Sequence, residues 1–186
     1  MNALLRQFPN VLTAIRVLLA PLTAWFLLRG NYAEALGVFA IAGASDAVDG
    51  FLARRFGLVS RFGEYLDPAA DKLLMTICFV TLAMLQVVPI WLAAIIIGRD
   101  VAIVLGVGLA RLLSLPVKIA PLMIGKVSTV VQVVYIGLVL LLLSLKIDVP
   151  PLTQAAAVVT AGVTALSWFA YGQLLLKAIA IGRRTA

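Results

Sequence analysis

Four aspartates stand at regular intervals in the first half of the chain. Asp46 and Asp49 are three residues apart, and Asp67 and Asp71 are four apart. On an α-helix, each spacing places both carboxylates of the pair on one face. Such faces suit the binding of hard divalent cations or the transfer of a proton. Because the chain has no histidine, proton transfer must use carboxylates, lysine, tyrosine or water.

The residues around these aspartates are strongly apolar. The chain has 186 residues, of which 63% are hydrophobic and only 12% are charged. A soluble domain would carry about 25% charged residues. This composition indicates an integral membrane protein, and the length allows a single membrane domain over residues 1–186. The one cysteine, Cys78, lies in an apolar run, so no disulfide framework is expected.

Six apolar stretches approach the ~20 residues that a transmembrane helix needs. They cover residues 9–29, 32–55, 66–87, 89–111, 120–145 and 152–176. Turn and breaker residues such as Gly30 and Pro89 separate them. The first stretch lacks a small-residue cleavage site, so we expect it to remain as a helix and not to be removed as a signal peptide. The predicted fold is an all-α integral membrane protein with six transmembrane helices.

The basic residues predict the orientation of these helices. With both termini on one side of the membrane, that side collects ten basic residues, whereas the other side has only Arg29 and Lys146. The bias predicts that both termini are cytoplasmic. The net charge of +7 is then explained by topology and by anionic lipid headgroups. Nucleic-acid binding is not expected, because no soluble domain remains to carry it.

The orientation brings the two acidic faces together. The predicted loop between helices 2 and 3 is short, so the two helices are antiparallel neighbours. Asp46 then lies roughly 12 Å below the cytoplasmic end of helix 2, at about 1.5 Å per residue. Gly50 and Ala53 continue its face and keep it thin, and Arg54 stands at the membrane edge. The sequence therefore predicts an acidic pocket close to the cytoplasmic surface.

Carboxylates crowded in a pocket of low dielectric need a cation to remain ionised. Oxygen ligands without histidine or cysteine favour Mg²⁺ or Mn²⁺. Two such ions can hold a pyrophosphate, and Arg54 can add a contact to phosphate. Two alternatives stay open at this point. Asp67-Pro68 alone is typical of a helix N-cap, and intramembrane aspartates also occur in ion transporters.

The acidic residues also follow a known family pattern. Asp46, Asp49, Gly50, Ala53, Arg54, Gly63, Asp67 and Asp71 fit D-x2-D-G-x2-A-R-x8-G-x3-D-x3-D at every fixed position. This pattern resembles the signature of the CDP-alcohol phosphatidyltransferases, which are similar six-helix membrane proteins. The resemblance implies transfer of a phosphatidyl group from CDP-diacylglycerol to an acceptor alcohol, with release of CMP. It also implies a homodimer in the bacterial or mitochondrial inner membrane, with the active site facing the cytoplasm or matrix.

Residue roles follow from the resemblance. It implies that the four aspartates bind two divalent metals and that Asp71 is also the general base. It implies CDP contacts for Gly50, Ala53 and Arg54. The start of helix 1, "FPNVLTAIRVLLAP", is similar to the family as well, and three of its polar residues are expected near the nucleotide or phosphate: Asn10, Thr13 and Arg16. From the residues alone, Asn10 also reads as a helix cap after Pro9.

The acceptor is less clearly indicated. "GRDVAIVLGVGLAR" and "IGKVSTVVQ" resemble CMP-forming cardiolipin synthases, which use phosphatidylglycerol. The main alternative is a phosphatidylglycerophosphate synthase, which uses glycerol 3-phosphate. Serine or inositol phosphate as the acceptor is less favoured. Both leading acceptors carry a phosphate that needs arginine or lysine, and we rank Arg99 first because it lies deep in helix 4. An ion pair between Arg99 and Asp100 is an equally good reading. The other candidates are Arg111, Lys118 and Lys126.

Overall fold

The computed structural model describes residues 3–56, 61–112 and 122–185. Side chains are described for residues 15–45, 70–108, 110, 112, 122–177 and 179–180. These parts of the chain form six α-helices: α1 Ala3–Leu28, α2 Tyr32–Phe56, α3 Arg61–Met84, α4 Ile90–Leu112, α5 Met123–Ser144 and α6 Pro150–Thr185. The all-helical fold predicted from the apolar stretches is confirmed.

Three of the helices end in the same backbone motif. After α1, Gly30 adopts φ +74°, and the amides of Gly30 and Asn31 donate to Leu27 and Phe26. This is a Schellman ending, in which a residue in the left-handed region satisfies the last carbonyls of a helix. Gln86 after α3 and Lys146 after α5 adopt the same conformation, with φ 58° and 55°. The chain can therefore reverse direction within a few residues at each of these points.

The helices group into two compact units. The first comprises Met1–Val87 and Ile136–Val149, and the second comprises Val88–Tyr135 and Pro150–Ala186. In the first unit, α1 packs against both α2 and α3. In the second unit, α4 packs against α6. Each unit contains one of the two groups of polar residues described below.

Within the described residues, three helical stretches are long and apolar enough to cross a membrane. They are Ile90–Gly108, Met123–Ser144 and Pro150–Lys177. Ile15–Leu28 and Tyr32–Ser45 are shorter apolar stretches. Many large apolar side chains on these helices face outward, among them Leu18, Leu105 and Phe169. Such an apolar exterior is what a bilayer takes up, so the chain is a membrane protein.

Candidate functional site

The first polar group lies between α1 and α3. Arg16 belongs to the buried face of α1, where Ala20, Thr23 and Leu27 follow it at intervals of four, three and four residues. On α3, Asp71 begins the stripe that continues through Met75, Cys78 and Leu82. The packing of α1 on α3 turns these two faces toward each other. The sequence periodicity thus brings together an arginine and an aspartate that are 55 positions apart.

Arg16 and Asp71 form a charge-assisted hydrogen bond. Arg16 Nη1 donates to Asp71 Oδ1 at 2.9 Å. The arginine side chain is only 1% exposed, whereas the aspartate side chain is 38% exposed. A buried guanidinium is costly in an apolar interior unless a carboxylate accompanies it. The pair therefore compensates the buried charge of Arg16 and still leaves the Asp71 carboxylate within reach of a ligand.

The other predicted residues of the acidic motif are described only by their backbone. Asp46, Asp49, Gly50, Ala53 and Arg54 lie in α2, and Gly63 and Asp67 lie in α3. Their side chains lie outside the described residues, as do those of Asn10 and Thr13 in α1. The helical spacing on which the two acidic faces depend is present in both helices. The meeting of these faces stays a prediction.

Two readings of helix starts are wrong. Asp67 is not the N-cap of α3, because this helix begins at Arg61, six residues earlier. Asn10 is not the cap of α1, because that helix begins at Ala3. In both cases the proline that suggested a cap, Pro68 or Pro9, is inside the helix. The capping explanation for Asp67 is removed, so a functional explanation of this residue gains weight.

No group of three or more metal-binding side chains occurs among the residues whose side chains are described. Asp71 is the one motif aspartate in that part of the chain. The fit of a metal therefore depends on the chemistry of the donors. The motif offers four carboxylates, the chain has no histidine, and its single cysteine is fully buried. Such donors fit a hard divalent cation and do not fit zinc.

The second polar group surrounds Arg99 in α4. This side chain is only 4% exposed, although it lies within an apolar stretch. Its Nε and Nη2 donate to Ser167 Oγ of α6 at 3.1 and 2.7 Å, and its Nη1 donates to Asp100 Oδ1 at 2.8 Å. The ion pair expected from the adjacent charges is therefore present. It neutralises the buried guanidinium inside the unit.

Arg99 also reaches the first turn of α5. Its Nη2 lies 3.5 Å from the carbonyl oxygen of Gly125, and its Cζ lies 5.5 Å from the centre of the Tyr171 ring. The hydroxyl of Tyr171 accepts a hydrogen bond from the amide of Leu122 at 3.1 Å. Leu122 immediately precedes α5, and its own carbonyl accepts from Gly125 and Lys126. Residues of α4 and α6 thus hold both sides of this turn.

A glycine makes this arrangement possible. A Cβ built at Gly125 would lie 2.9 Å from both Arg99 Nη2 and Tyr171 Oη. Real Cβ atoms essentially never approach other atoms so closely, and the ring of Tyr171 closes the remaining space at 3.1 Å. Gly125 therefore lets the two side chains contact the backbone of α5. The next residue, Lys126, is exposed.

Arg111 and Lys118 are the remaining candidates for the acceptor phosphate. The backbone of Arg111 lies in α4, but its side chain, like all of Lys118, lies outside the described residues.

Gly106 lines a cavity of about 140 Å³ between α4 and α6. Apart from Arg99 and Tyr171, the lining of this cavity is apolar or glycine, with Trp168 on one side. The small residues of α4 therefore make room inside the unit.

Ser167, Tyr171 and Gly125 were missed from the sequence. The sequence did contain a signal for two of them, because Ser167 and Tyr171 are four residues apart and share one face of an apolar helix.

A second group of buried polar side chains also connects two helices, α5 and α6. Thr164 contacts Ser128 Oγ at 3.3 Å and Gln132 Nε2 at 3.2 Å, and all three side chains are buried. Polar residues at helical spacing in an apolar helix indicate such interhelical contacts.

The family model of the CDP-alcohol phosphatidyltransferases matches residues 6–175. The chain therefore belongs to the CDP-alcohol phosphatidyltransferase family. Members of this family generally depend on divalent metals.

The relatives that match this chain include both cardiolipin synthases and phosphatidylglycerophosphate synthases. A CMP-forming cardiolipin synthase of Rattus norvegicus is 35% identical over 145 residues, which cover 69% of this chain and 48% of the relative. A fusion protein of a CMP-forming cardiolipin synthase and a mitochondrial hydrolase, from Schizosaccharomyces pombe, is 39% identical over 71% of this chain and 25% of the relative's length. A probable phosphatidylglycerophosphate synthase of Mycobacterium tuberculosis is 36% identical over 89% of this chain and 78% of the relative's length. The chain spans half or less of the length of the two cardiolipin synthase relatives.

Proposed function

We propose that this protein transfers the phosphatidyl group of CDP-diacylglycerol to phosphatidylglycerol, giving cardiolipin and CMP. The observation that carries the proposal is the complete acidic signature in a chain that belongs to this family. The resemblance of the segment from Gly98 to Arg111 to cardiolipin synthases, and the rat and S. pombe relatives, support the acceptor.

The motif aspartates are assigned to metal binding. Asp46, Asp49, Asp67 and Asp71 would hold two divalent cations, Mg²⁺ or Mn²⁺, for which their oxygen atoms are suitable donors. When bound, such ions neutralise the pyrophosphate and stabilise its leaving oxygen. Contacts to the CDP group are assigned to Gly50, Ala53 and Arg54 and to two polar residues of α1, Asn10 and Thr13. Arg16, the third residue predicted near the nucleotide, is only 1% exposed, so it is assigned an indirect part through its hydrogen bond to Asp71.

Asp71 is assigned a second role as general base. The acceptor hydroxyl oxygen forms a new bond to the lipid-linked phosphorus of CDP-diacylglycerol. The bond from that phosphorus to the oxygen of CMP breaks, and CMP leaves with the bonding electrons. Asp71 takes the proton of the hydroxyl, in agreement with its partial exposure. The hydrogen bond from Arg16 restrains the carboxylate, which favours one orientation for proton transfer.

A basic residue of α5 is assigned to the acceptor phosphate. Lys126 is exposed and can contact a phosphate directly. Arg99 is buried within its own hydrogen-bond network, so its part on the acceptor side is assigned as indirect.

Phosphatidylglycerophosphate synthesis is the second candidate function. The M. tuberculosis relative favours it, because that match covers most of both chains. The mechanism would be the same, with glycerol 3-phosphate as the acceptor. An ion transporter with an intramembrane aspartate site, the remaining alternative from the aspartates alone, does not need the fixed glycine, alanine and arginine positions of the motif.

The two acceptors can be separated by one assay. Purified protein in liposomes is given CDP-diacylglycerol with either phosphatidylglycerol or glycerol 3-phosphate, and the lipid product is identified by mass spectrometry. We expect cardiolipin and CMP with phosphatidylglycerol. Product from glycerol 3-phosphate alone would replace the acceptor and keep the phosphatidyl transfer. Cation flux without release of CMP would support a transporter.

The membrane arrangement is part of the proposal. All six helices span an inner membrane, of a bacterium or a mitochondrion, with both termini and the acidic motif on the cytoplasmic or matrix side. The distribution of basic residues supports this orientation. A homodimer is proposed from the resemblance to the family.

A further inference from the structure

We infer that Arg99, Ser167 and Tyr171 are positioning residues that fix the first turn of α5 and thereby direct Lys126 to the acceptor phosphate. We call these three residues the α5 clamp. The positioning of the helix turn follows from the structure alone, whereas the role in acceptor binding rests on the proposed function.

The α5 clamp holds the turn from both ends. On one side, the hydroxyl of Tyr171 accepts a hydrogen bond from the amide of Leu122, the residue immediately before α5. On the other side, Arg99 approaches the carbonyl of Gly125. The backbone between these points is closed by bonds from Gly125 and Lys126 to the Leu122 carbonyl. Lys126 is therefore attached to a turn whose position depends on α4 and α6.

The α5 clamp is itself rigid. Both Nε and Nη2 of Arg99 bond to Ser167, which is fully buried, and Nη1 bonds to Asp100. A guanidinium held by several charge-assisted bonds in an apolar environment has few alternative orientations. Arg99 also stacks near the ring of Tyr171, so the two contacts to α5 are linked.

Arg99 is placed to position other residues and not to contact a phosphate directly. Its N–H groups donate to Ser167, Asp100 and Gly125, and its side chain is only 4% exposed. Lys126, by contrast, is exposed. An exposed ammonium on a fixed helix turn can meet an anionic group of either acceptor, a lipid phosphate or a free phosphate monoester. Arg99 would then affect acceptor binding through Lys126.

The first test is kinetic and uses Tyr171→Phe, which removes one hydroxyl and should fold. Loss of one hydrogen bond should raise the acceptor KM by roughly three- to tenfold, with the KM for CDP-diacylglycerol unchanged. In a Lys126→Met background, the same substitution should cause no further rise, because the residue through which it acts is gone. An equal rise in both backgrounds would overturn the positioning role.

The matched control is Thr164→Val. It also removes a buried polar contact between α5 and α6, to Ser128 and Gln132, but does not touch the first turn of α5. We expect its acceptor KM to remain that of the unmodified protein. An increase equal to that of Tyr171→Phe would show a general effect of α5–α6 packing and would overturn the inference.

The second test does not depend on activity. In a Cys78→Ala background, a nitroxide spin label is attached at Lys126→Cys or, two turns further along α5, at the exposed Val134 as Val134→Cys. Tyr171→Phe should increase the mobility of the label at position 126 and leave position 134 unchanged. Unchanged mobility at 126 would overturn the α5 clamp itself. If the clamp signal is present but no CMP is released with either acceptor, the proposed function fails alone.

Discussion

A functional role was predicted for Arg16 and Asp71 from their residue types and positions, but the hydrogen bond between them was not predicted. Both were expected to be functional, because charges inside an apolar helix are costly and rarely incidental. Their hydrogen bond could not be predicted, since nothing local fixes the rotation of α1 against α3 across 55 positions. In retrospect, opposite charges on two buried helical faces favour pairing.

This pair predicts a measurable coupling in stability. Arg16→Met should destabilise the folded protein by about 1.5–3 kcal/mol, because a charge-assisted hydrogen bond to Asp71 is lost. In an Asp71→Asn background the same substitution should cost clearly less. Thermal unfolding in detergent of the unmodified protein, both single variants and the double variant gives the coupling. Additive effects would mean that the 2.9 Å contact does not contribute to stability.

At the scale of elements, hydropathy predicted all six helices and missed several of their ends. Helix α3 was expected from residue 66 but begins at Arg61, and α6 was expected to end at residue 176 but continues to Thr185. Apolar runs mark the part of a helix that faces lipid, whereas the backbone hydrogen bonds extend beyond it into polar residues. The breaks at Gly30, Val88-Pro89 and Lys146 were predicted correctly, because turn chemistry is local.

The site in the second unit was only half predicted. Arg99 was selected as a deep cation, but its partners on α5 and α6 were not. Ser167 and Tyr171 are common residue types in membrane helices, and their role appears only when α4 packs on α6. Gly125 is likewise indistinguishable in sequence from other helical glycines.

A pair of glycine substitutions in α5 tests this close packing. Gly125→Ala should destabilise the protein by up to about 2 kcal/mol, because overlap of its Cβ with Arg99 and Tyr171 costs about 1–3 kcal/mol and the helix propensity of alanine offsets about 1 kcal/mol of this. Gly137→Ala is the matched control on the same helix, since a Cβ there meets nothing within 4 Å. It should be neutral or stabilising by up to about 1 kcal/mol, from the higher helix propensity of alanine. Melting temperatures in detergent report both, and equal shifts would contradict the proposed contacts at Gly125.

At the scale of the whole molecule, composition and the acidic motif together predicted the family, and the family match over residues 6–175 confirms it. Composition indicated a membrane protein, and the resemblance of the motif implied phosphatidyl transfer. The acceptor could not be predicted in the same way, because phosphatidylglycerol and glycerol 3-phosphate both present a phosphate and a hydroxyl. The six-span topology, the metal site and the homodimer stay predictions.

The central claim is that the aspartates of the motif support metal-dependent release of CMP. It is tested most directly by measuring CMP release from CDP-diacylglycerol in liposomes that also contain the acceptor, with and without a chelator. We expect excess chelator to abolish CMP release and added Mg²⁺ or Mn²⁺ to restore it, while Asp46→Asn remains inactive with either metal. Full release of CMP in excess chelator, or normal turnover by folded Asp46→Asn, would contradict the account.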